Sequence, residues 1–187
     1  MDLEWDDPRT RKFITNVGLI TSKNTYGDNV MAAEWAHHVS CSPSLMAVNV
    51  HREDATHENI LKSKEFGINL CSVTQNVISS ISGNSSGRDV DKIKVLKELG
   101  VEFYKGNKIN ALMVKGAAMN AECKLHKILE LGDHTMFVGE VVEISTDPTI
   151  EPLAYRDGKY WKLGERIMKP EQEVLDKISK LIEEYKK

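Results

Sequence analysis

Ten residues constrain this chain most: Thr135-Met136-Phe137-Val138-Gly139-Glu140-Val141-Val142-Glu143-Ile144. β-Branched and aromatic side chains dominate the run and no proline interrupts it, which favours a pleated strand. Gly139 in its interior marks a bulge or a close backbone approach. Similar runs recur at short spacing: Phe13 to Ser22, Val30 to His38, Leu45 to Val50, Glu65 to Leu70 and Ala117 to Leu129. Lys23 to Asn29 reads as a turn, and Asp157-Gly158 is a hairpin signal between Leu153-Ala154-Tyr155 and Tyr160-Trp161-Lys162-Leu163. Helices are expected over His57 to Ser63 with Thr56 as cap, over Gln75 to Ile81, and over Asp91 to Leu99 before Gly100. Gly83 to Gly87 reads as a loop. From Pro170 to Lys187, Val174, Ile178, Leu181, Ile182 and Tyr185 share one stripe of an amphipathic helix. Closely spaced strands with few helices predict a mainly β fold, a β-barrel with peripheral helices and a C-terminal helix, as one domain over residues 1–187.

Composition narrows the function. Of 187 residues, 41% are hydrophobic and 28% charged, as in an ordinary globular domain, and the net charge of −3 offers no basic footprint for nucleic acid or an anionic membrane. No apolar run reaches the roughly 20 residues that span a bilayer. The acidic start Met1-Asp2-Leu3-Glu4-Trp5-Asp6-Asp7 lacks a signal-peptide layout, so a cytoplasmic location is expected. Cys41, Cys71 and Cys123 are odd in number and far apart, which argues against a disulfide framework or a CxxC site. All three read as small buried hydrophobes.

Familiar site patterns fail. Between Gly83 and Gly87 stand three residues where a P-loop needs four, and Arg88-Asp89 follow instead of Lys-Ser/Thr. His57-Glu58 begins like a zinc-protease helix, but residue 61 is Leu. There is neither a G-x-S-x-G elbow nor a G-x-G-x-x-G after the first strand. The scattered histidines support no metal site.

Six segments in order go further. They are Asn29-Val30-Met31-Ala32-Ala33-Glu34-Trp35, Ser40-Cys41-Ser42-Pro43-Ser44-Leu45, Thr56-His57-Glu58-Asn59-Ile60, Phe66-Gly67-Ile68-Asn69-Leu70, Asp91-Lys92, and Gly132-Asp133-His134-Thr135-Met136-Phe137-Val138-Gly139-Glu140-Val141. Together they resemble the flavin reductase-like domain, the FMN-binding split barrel, in its flavoredoxin and archaeal ferric reductase branch. The resemblance covers roughly residues 10–165. Pro43-Ser44 departs from the two prolines that many relatives carry.

The resemblance implies a site. FMN would carry the redox chemistry, and the chain would hold its phosphate, ribityl chain and ring. For the phosphate, Arg52 and Thr56 close the junction that begins Asn49-Val50-His51, at a helix N-terminus that favours anions, and Lys92 adds a second charge. Composition alone would read Arg52 and Lys92 as solvated surface charges. For the ring, Trp35 and the backbone of Ala32, Ala33 and Glu34 match the isoalloxazine-binding strand, with Asn29 a further hydrogen-bonding group. His134 corresponds to the histidine beside flavin and nicotinamide. Tyr160 or Trp161 sends an aromatic towards the ring; strand alternation admits only one, and Tyr160 is favoured. His37 and His38 point to opposite faces, so one of them is expected to line the substrate cleft.

The implied activity is an FMN-dependent oxidoreductase that takes hydride from NAD(P)H and passes electrons to free flavin, ferric complexes or a protein acceptor. No side chain is needed as acid, base or nucleophile in the hydride step, because positioning supplies the catalysis. The alternative is a flavoredoxin-like carrier reduced by a protein partner. A cofactor-free interaction barrel is a third reading, disfavoured by Arg52, Thr56, Lys92 and Trp35 occurring together. Relatives place FMN at a homodimer interface, and a homodimer is expected here.

Overall fold

The computed structural model describes residues 1–3 and 7–186. A 3-10 turn at Thr10–Lys12 precedes β1 (Thr15–Asn16), β2 (Gly18–Asn24), β3 (Gly27–Ala33), β4 (Ala36–Cys41), β5 (Ser44–His51), α1 (Ala55–Ser63) and β6 (Glu65–Leu70). Then come α2 (Asn76–Asn84), α3 (Lys92–Glu98), β7 (Phe103–Lys105), β8 (Leu112–Val114), β9 (Met119–Leu131), β10 (His134–Thr146), β11 (Ala154–Arg156), β12 (Lys159–Trp161) and α4 (Gln172–Glu184). Seven strands form an antiparallel sheet in the order β3-β2-β6-β9-β10-β5-β4. β1, β11 and β12 make a small second sheet, and β7 pairs with β8.

Connectivity rolls the large sheet up. β3 is one edge and β4 the other, yet only Glu34 and Trp35 separate them. A two-residue link spans no more than about 10 Å between flanking Cα atoms, so the edges lie side by side and the sheet closes into a barrel. Asn16 Nδ2 donates to the Ala36 carbonyl at 2.8 Å, bridging the segment before β2 to β4, and the Asn49 N–H donates to the Trp35 carbonyl at 3.0 Å, extending the β4–β5 ladder to the link. Inside pack Ile20, Val48, Val50, Phe66, Ile68 and Phe137, all 2% exposed or less; each contributes roughly 1.5–3 kcal/mol by leaving water. A second cluster, including Val17, Leu19, Val30, Ile78, Ile93 and Leu96, packs α2 and α3 on the outer face. This is why β2 is buried on both faces over Gly18–Ser22.

The run around Gly139 forms β10, which shifts register against β9 between Val138 and Gly139. A Cβ at Gly139 would lie 2.7 Å from both the Cys123 Cβ and the Phe66 ring, so bulge and close approach coincide. Asp157 and Gly158 form the expected hairpin turn, both in the left-handed region (φ 52° and 70°).

Other boundaries move. The first turn narrows to Thr25-Tyr26, the Val30–His38 run is cut at Glu34-Trp35, and α2 extends through Gly83 and Asn84, leaving a shorter loop. Thr56 is not a cap: Asp54 holds the cap position and Thr56 lies inside α1, where its hydroxyl accepts from Asn29 Nδ2 at 2.8 Å. The burial of Asn29 and Thr56 against each other favours that bond over a free hydroxyl at the helix end. Cys71 and Cys123 are buried, with thiols pushed up to about 12 by that burial, but Cys41 is exposed at the end of edge strand β4. β7 and β8 add a hairpin not anticipated. α4 starts at Gln172, and none of its residues is buried. Lys187, the last residue of the expected helix, and residues 4–6 of the acidic start lie outside the described residues. Among the described residues, no helix is long and apolar enough to cross a membrane.

Candidate functional site

The barrel seam opens into a cavity of about 790 Å3, within the usual range for small-molecule sites. It runs from the β3–β4 link, past the end of β5 and the start of α1, to α2, the loop Ser85–Gly87 and Lys92. Eleven of the predicted residues line it: Asn29, Ala32, Ala33, Glu34, Trp35, Asn49, His51, Thr56, Lys92, His134 and Tyr160.

Its deep end is polar. Lys92, the first residue of α3, is only 3% exposed, and the reading of it as a solvated surface charge is wrong. Its ammonium donates to the Ser82 carbonyl at 3.4 Å, a long bond, and burial lowers its pKa to about 8 against a partial upward pull from Asp54. The buried Ser82 hydroxyl has no partner among the described residues. Ser79, Ser80, Ser85, Ser86 and Asn84 line the same end, and Ala55 and Thr56 bring the first turn of α1 to it. A helix start, a buried cation and the Ser82 hydroxyl together match what a dianionic phosphate needs.

Its other end is lined by more apolar residues. Val17, Met31, Ala32, Ala33 and Trp35 line it, and Trp35 is 42% exposed rather than sealed in the core. The His134 ring lies 5.0 Å from that of Trp35 and 5.2 Å, edge-on, from that of His51. His134 Nδ1 pairs with the Asp133 carboxylate at 2.7 Å, and this hydrogen bond holds Asp133 below the usual carboxylate range. Tyr160 closes one side and donates its hydroxyl to Ser79 Oγ at 3.0 Å, tying the β11–β12 hairpin to α2. Trp161 instead donates its indole N–H to the Arg156 carbonyl at 3.2 Å and does not line the cavity.

Two predicted residues fall outside. Side chains alternate along β5, so Asn49 and His51 face the cavity while Val50 faces the barrel core. Arg52 continues the parity of Val50 past the strand end. Its guanidinium lies 3.7 Å from Glu130, and it lines an adjacent cleft with Arg88 that meets the cavity at His51, Asp54 and Ser86. Neither His37 nor His38 lines the cavity; both are exposed on β4. Sequence reasoning also missed the serines of α2 and Tyr155 as lining residues. The repeated Ser79-Ser80 and Ser82 on one helix was the available signal.

Residues 10–164 match the family model described as the flavin reductase like domain. The chain belongs to the flavin reductase-like family. It is 26% identical over 131 residues to an NADH-dependent FAD reductase of Streptomyces globisporus, covering 70% of this chain and 69% of that one. It is also 26% identical over 147 residues to a ferric-chelate reductase (NAD(P)H) of Archaeoglobus fulgidus, covering 78% and 84%. Among solved structures, the flavoredoxin of Methanosarcina acetivorans superimposes with a TM-score of 0.76 at 24% identity, over 85% of this chain and 90% of that one. These neighbours share the mostly β architecture, so the sheet closed at Glu34-Trp35 is a flavin reductase-like split barrel.

Proposed function

We propose that this flavin reductase-like oxidoreductase binds FMN in the seam cavity, takes hydride from NAD(P)H, and delivers electrons to free flavin, a ferric complex or a protein acceptor. One observation carries the reading: a buried lysine and an unpartnered serine hydroxyl end a cavity whose opposite end is walled by alanines and a half-exposed tryptophan. That is one phosphate-sized polar corner and one slot for a flat ring, in a single space.

Lys92, Ser82 and the first turn of α1 would hold the phosphate, and Asn29, Asn49 and Thr56 offer polar groups along the path to the ring. Ala32 and Ala33 let a ring approach the β3 backbone, and Trp35 and Tyr160 border it. FMN, when bound, supplies hydride-accepting chemistry; the chain positions donor and acceptor and excludes water from the ring's inner face. His134, held by Asp133 beside Trp35, orients what stacks at the open side. The relatives' use of NADH or NAD(P)H, given by their names, supports the choice of donor. Such a donor is a cytoplasmic metabolite, which suits a cytoplasmic protein. Residues 1–187 act as one domain in this reading. The unburied stripe of α4, with Val174, Ile178 and Leu181 each more than 40% exposed, supports a homodimer in which that stripe is covered.

The test is the absorption spectrum of the purified protein, followed by anaerobic mixing with NADH and with NADPH. A bound-flavin spectrum bleached by either nucleotide supports the enzyme. A flavoprotein that stays oxidised with both is a carrier of flavoredoxin type. Colourless protein that cannot be reconstituted with FMN overturns both.

A further inference from the structure

Glu34 occupies an unusual place. It is one of only two residues linking the opposite edges of the rolled sheet, and it lines the cavity beside Trp35. Its carboxylate is half-buried and, among the described residues, makes no hydrogen bond or ion pair. An unpaired carboxylate taken partly out of water is held there at a cost.

We infer that Glu34 is the proton-uptake group of this cavity: it takes a proton from solvent when a bound flavin gains negative charge, and releases it when the electrons leave. The inference rests on reading the cavity as a flavin site. Its balance is simple. Hydride leaves the nicotinamide C4 with the electron pair of its C–H bond and forms an N–H bond at flavin N5. The nucleotide is oxidised by two electrons, the flavin is reduced by two, and one extra negative charge enters the cavity. A solvent proton on a Glu34 carboxylate oxygen cancels it.

His51, Asp54, His134 and Tyr160 line the same cavity; His51 Nδ1 accepts from the Glu53 N–H, His134 Nδ1 is engaged by Asp133 and the Tyr160 hydroxyl donates to Ser79, whereas the Glu34 carboxylate has no such partner among the described residues. Tyr155 on β11, whose ring lies 5.6 Å from that of Tyr160, is already protonated, and burial together with the Glu34 charge pushes its phenol higher. Arg11, 3.4 Å from Asp157, acts on that side in the opposite sense through its positive charge. Asp133 is exposed and held low by His134 from β10. Lys92 at the phosphate end is a cation and gains no proton at neutral pH. Burial alone already holds the Glu34 carboxyl above the usual range, and a ring that displaces water would carry it further in the same direction.

The experiment measures the midpoint potential of bound FMN against pH for the natural protein, Glu34→Gln and Glu34→Asp. At low pH, where Glu34 is neutral in both redox states, Glu34→Gln and the natural protein coincide. As pH rises through the Glu34 titration the variant becomes easier to reduce, until its preference for reduced over oxidised flavin is about tenfold greater, as expected for one charge near the ring. Glu34→Asp keeps the pH dependence. Reduced-minus-oxidised infrared spectra of the natural protein gain a protonated-carboxyl band, which decides the matter even if Glu34→Gln does not fold. Curves that coincide or stay parallel at all pH, or the absence of that band, overturn the inference. Failure of the natural protein to bind any flavin is a separate outcome: it removes the flavin reading itself.

Discussion

The two ends of the cavity are built on opposite terms. At the end proposed for the phosphate, Lys92 and Ser82 are almost wholly buried and, among the described residues, incompletely partnered, so polar groups are held in place at a cost to the ligand-free chain. At the end proposed for the ring, Trp35 is 42% exposed, His134 is tied to Asp133 and Tyr160 to Ser79. If FMN binds as proposed, binding strength is assigned to the end that does no chemistry, and access to the end that does.

The largest test of this contrast is Lys92→Met. FMN affinity should fall about 100-fold, the equivalent of roughly 3 kcal/mol, while affinity for riboflavin, which has no phosphate, stays unchanged. The ligand-free variant should be more stable than the natural chain by about 1–2 kcal/mol in urea, because an uncompensated buried charge is gone. Equal losses for both flavins would erase the distinction between the ends.

A pH series sharpens it. Lys92 in the folded, ligand-free chain titrates at about 8, below its ordinary value of 10.5. Near pH 7 the lysine is charged and the phosphate, with a second pKa of about 6, is mostly dianionic, so FMN affinity should be at its plateau; above about pH 8 each proton lost from the lysine weakens the phosphate contact, so affinity falls, by up to tenfold per pH unit. Riboflavin should show no such fall. The unfolded chain keeps the lysine proton to higher pH than the folded one, so the stability of the ligand-free protein should rise between about pH 8 and 10.5. Thermal scans across that range check it.

At the ring end, Trp35→Ala should weaken FMN and riboflavin alike, by about five- to tenfold, measured by flavin fluorescence quenching. Thr56→Val removes the acceptor of the Asn29 amide and should cost about 1 kcal/mol of stability with a smaller change in affinity. Truncation after Gly164 should be the mildest for the barrel, below about 1 kcal/mol, since nothing in α4 is buried. Sedimentation of that truncated protein tests whether the α4 stripe is where two copies meet.

What could be read from the chain follows the range of the forces. β10, β6 and the Asp157-Gly158 hairpin were legible because residue type and alternation act within a few positions. The ordered segments from Asn29 to His134 pointed to the family and most of the cavity lining. Lys92 was not legible as buried, since its burial is imposed by α2 and the loop before it, folded over from ten residues upstream. Arg52 was misplaced because its chemistry suits a phosphate while it lies just past the end of β5, out of phase with Asn49 and His51, with its guanidinium 3.7 Å from Glu130. Thr56 looked like a cap because position, not its contact with Asn29 twenty-seven residues away, was visible. The cut at Glu34-Trp35 appears only once the sheet is seen to close, for a continuous extended run gives no sign that its halves serve opposite edges.

Gly139 carries a consequence for how this barrel can change. The Phe66 ring and Cys123 both lie 2.7 Å from where a methyl would stand, so the core is packed directly against this backbone. A side chain at this position would have to displace the Phe66 ring or the Cys123 side chain, both fully buried, so variation here falls on the barrel core and not on the ligand space, which Gly139 does not line.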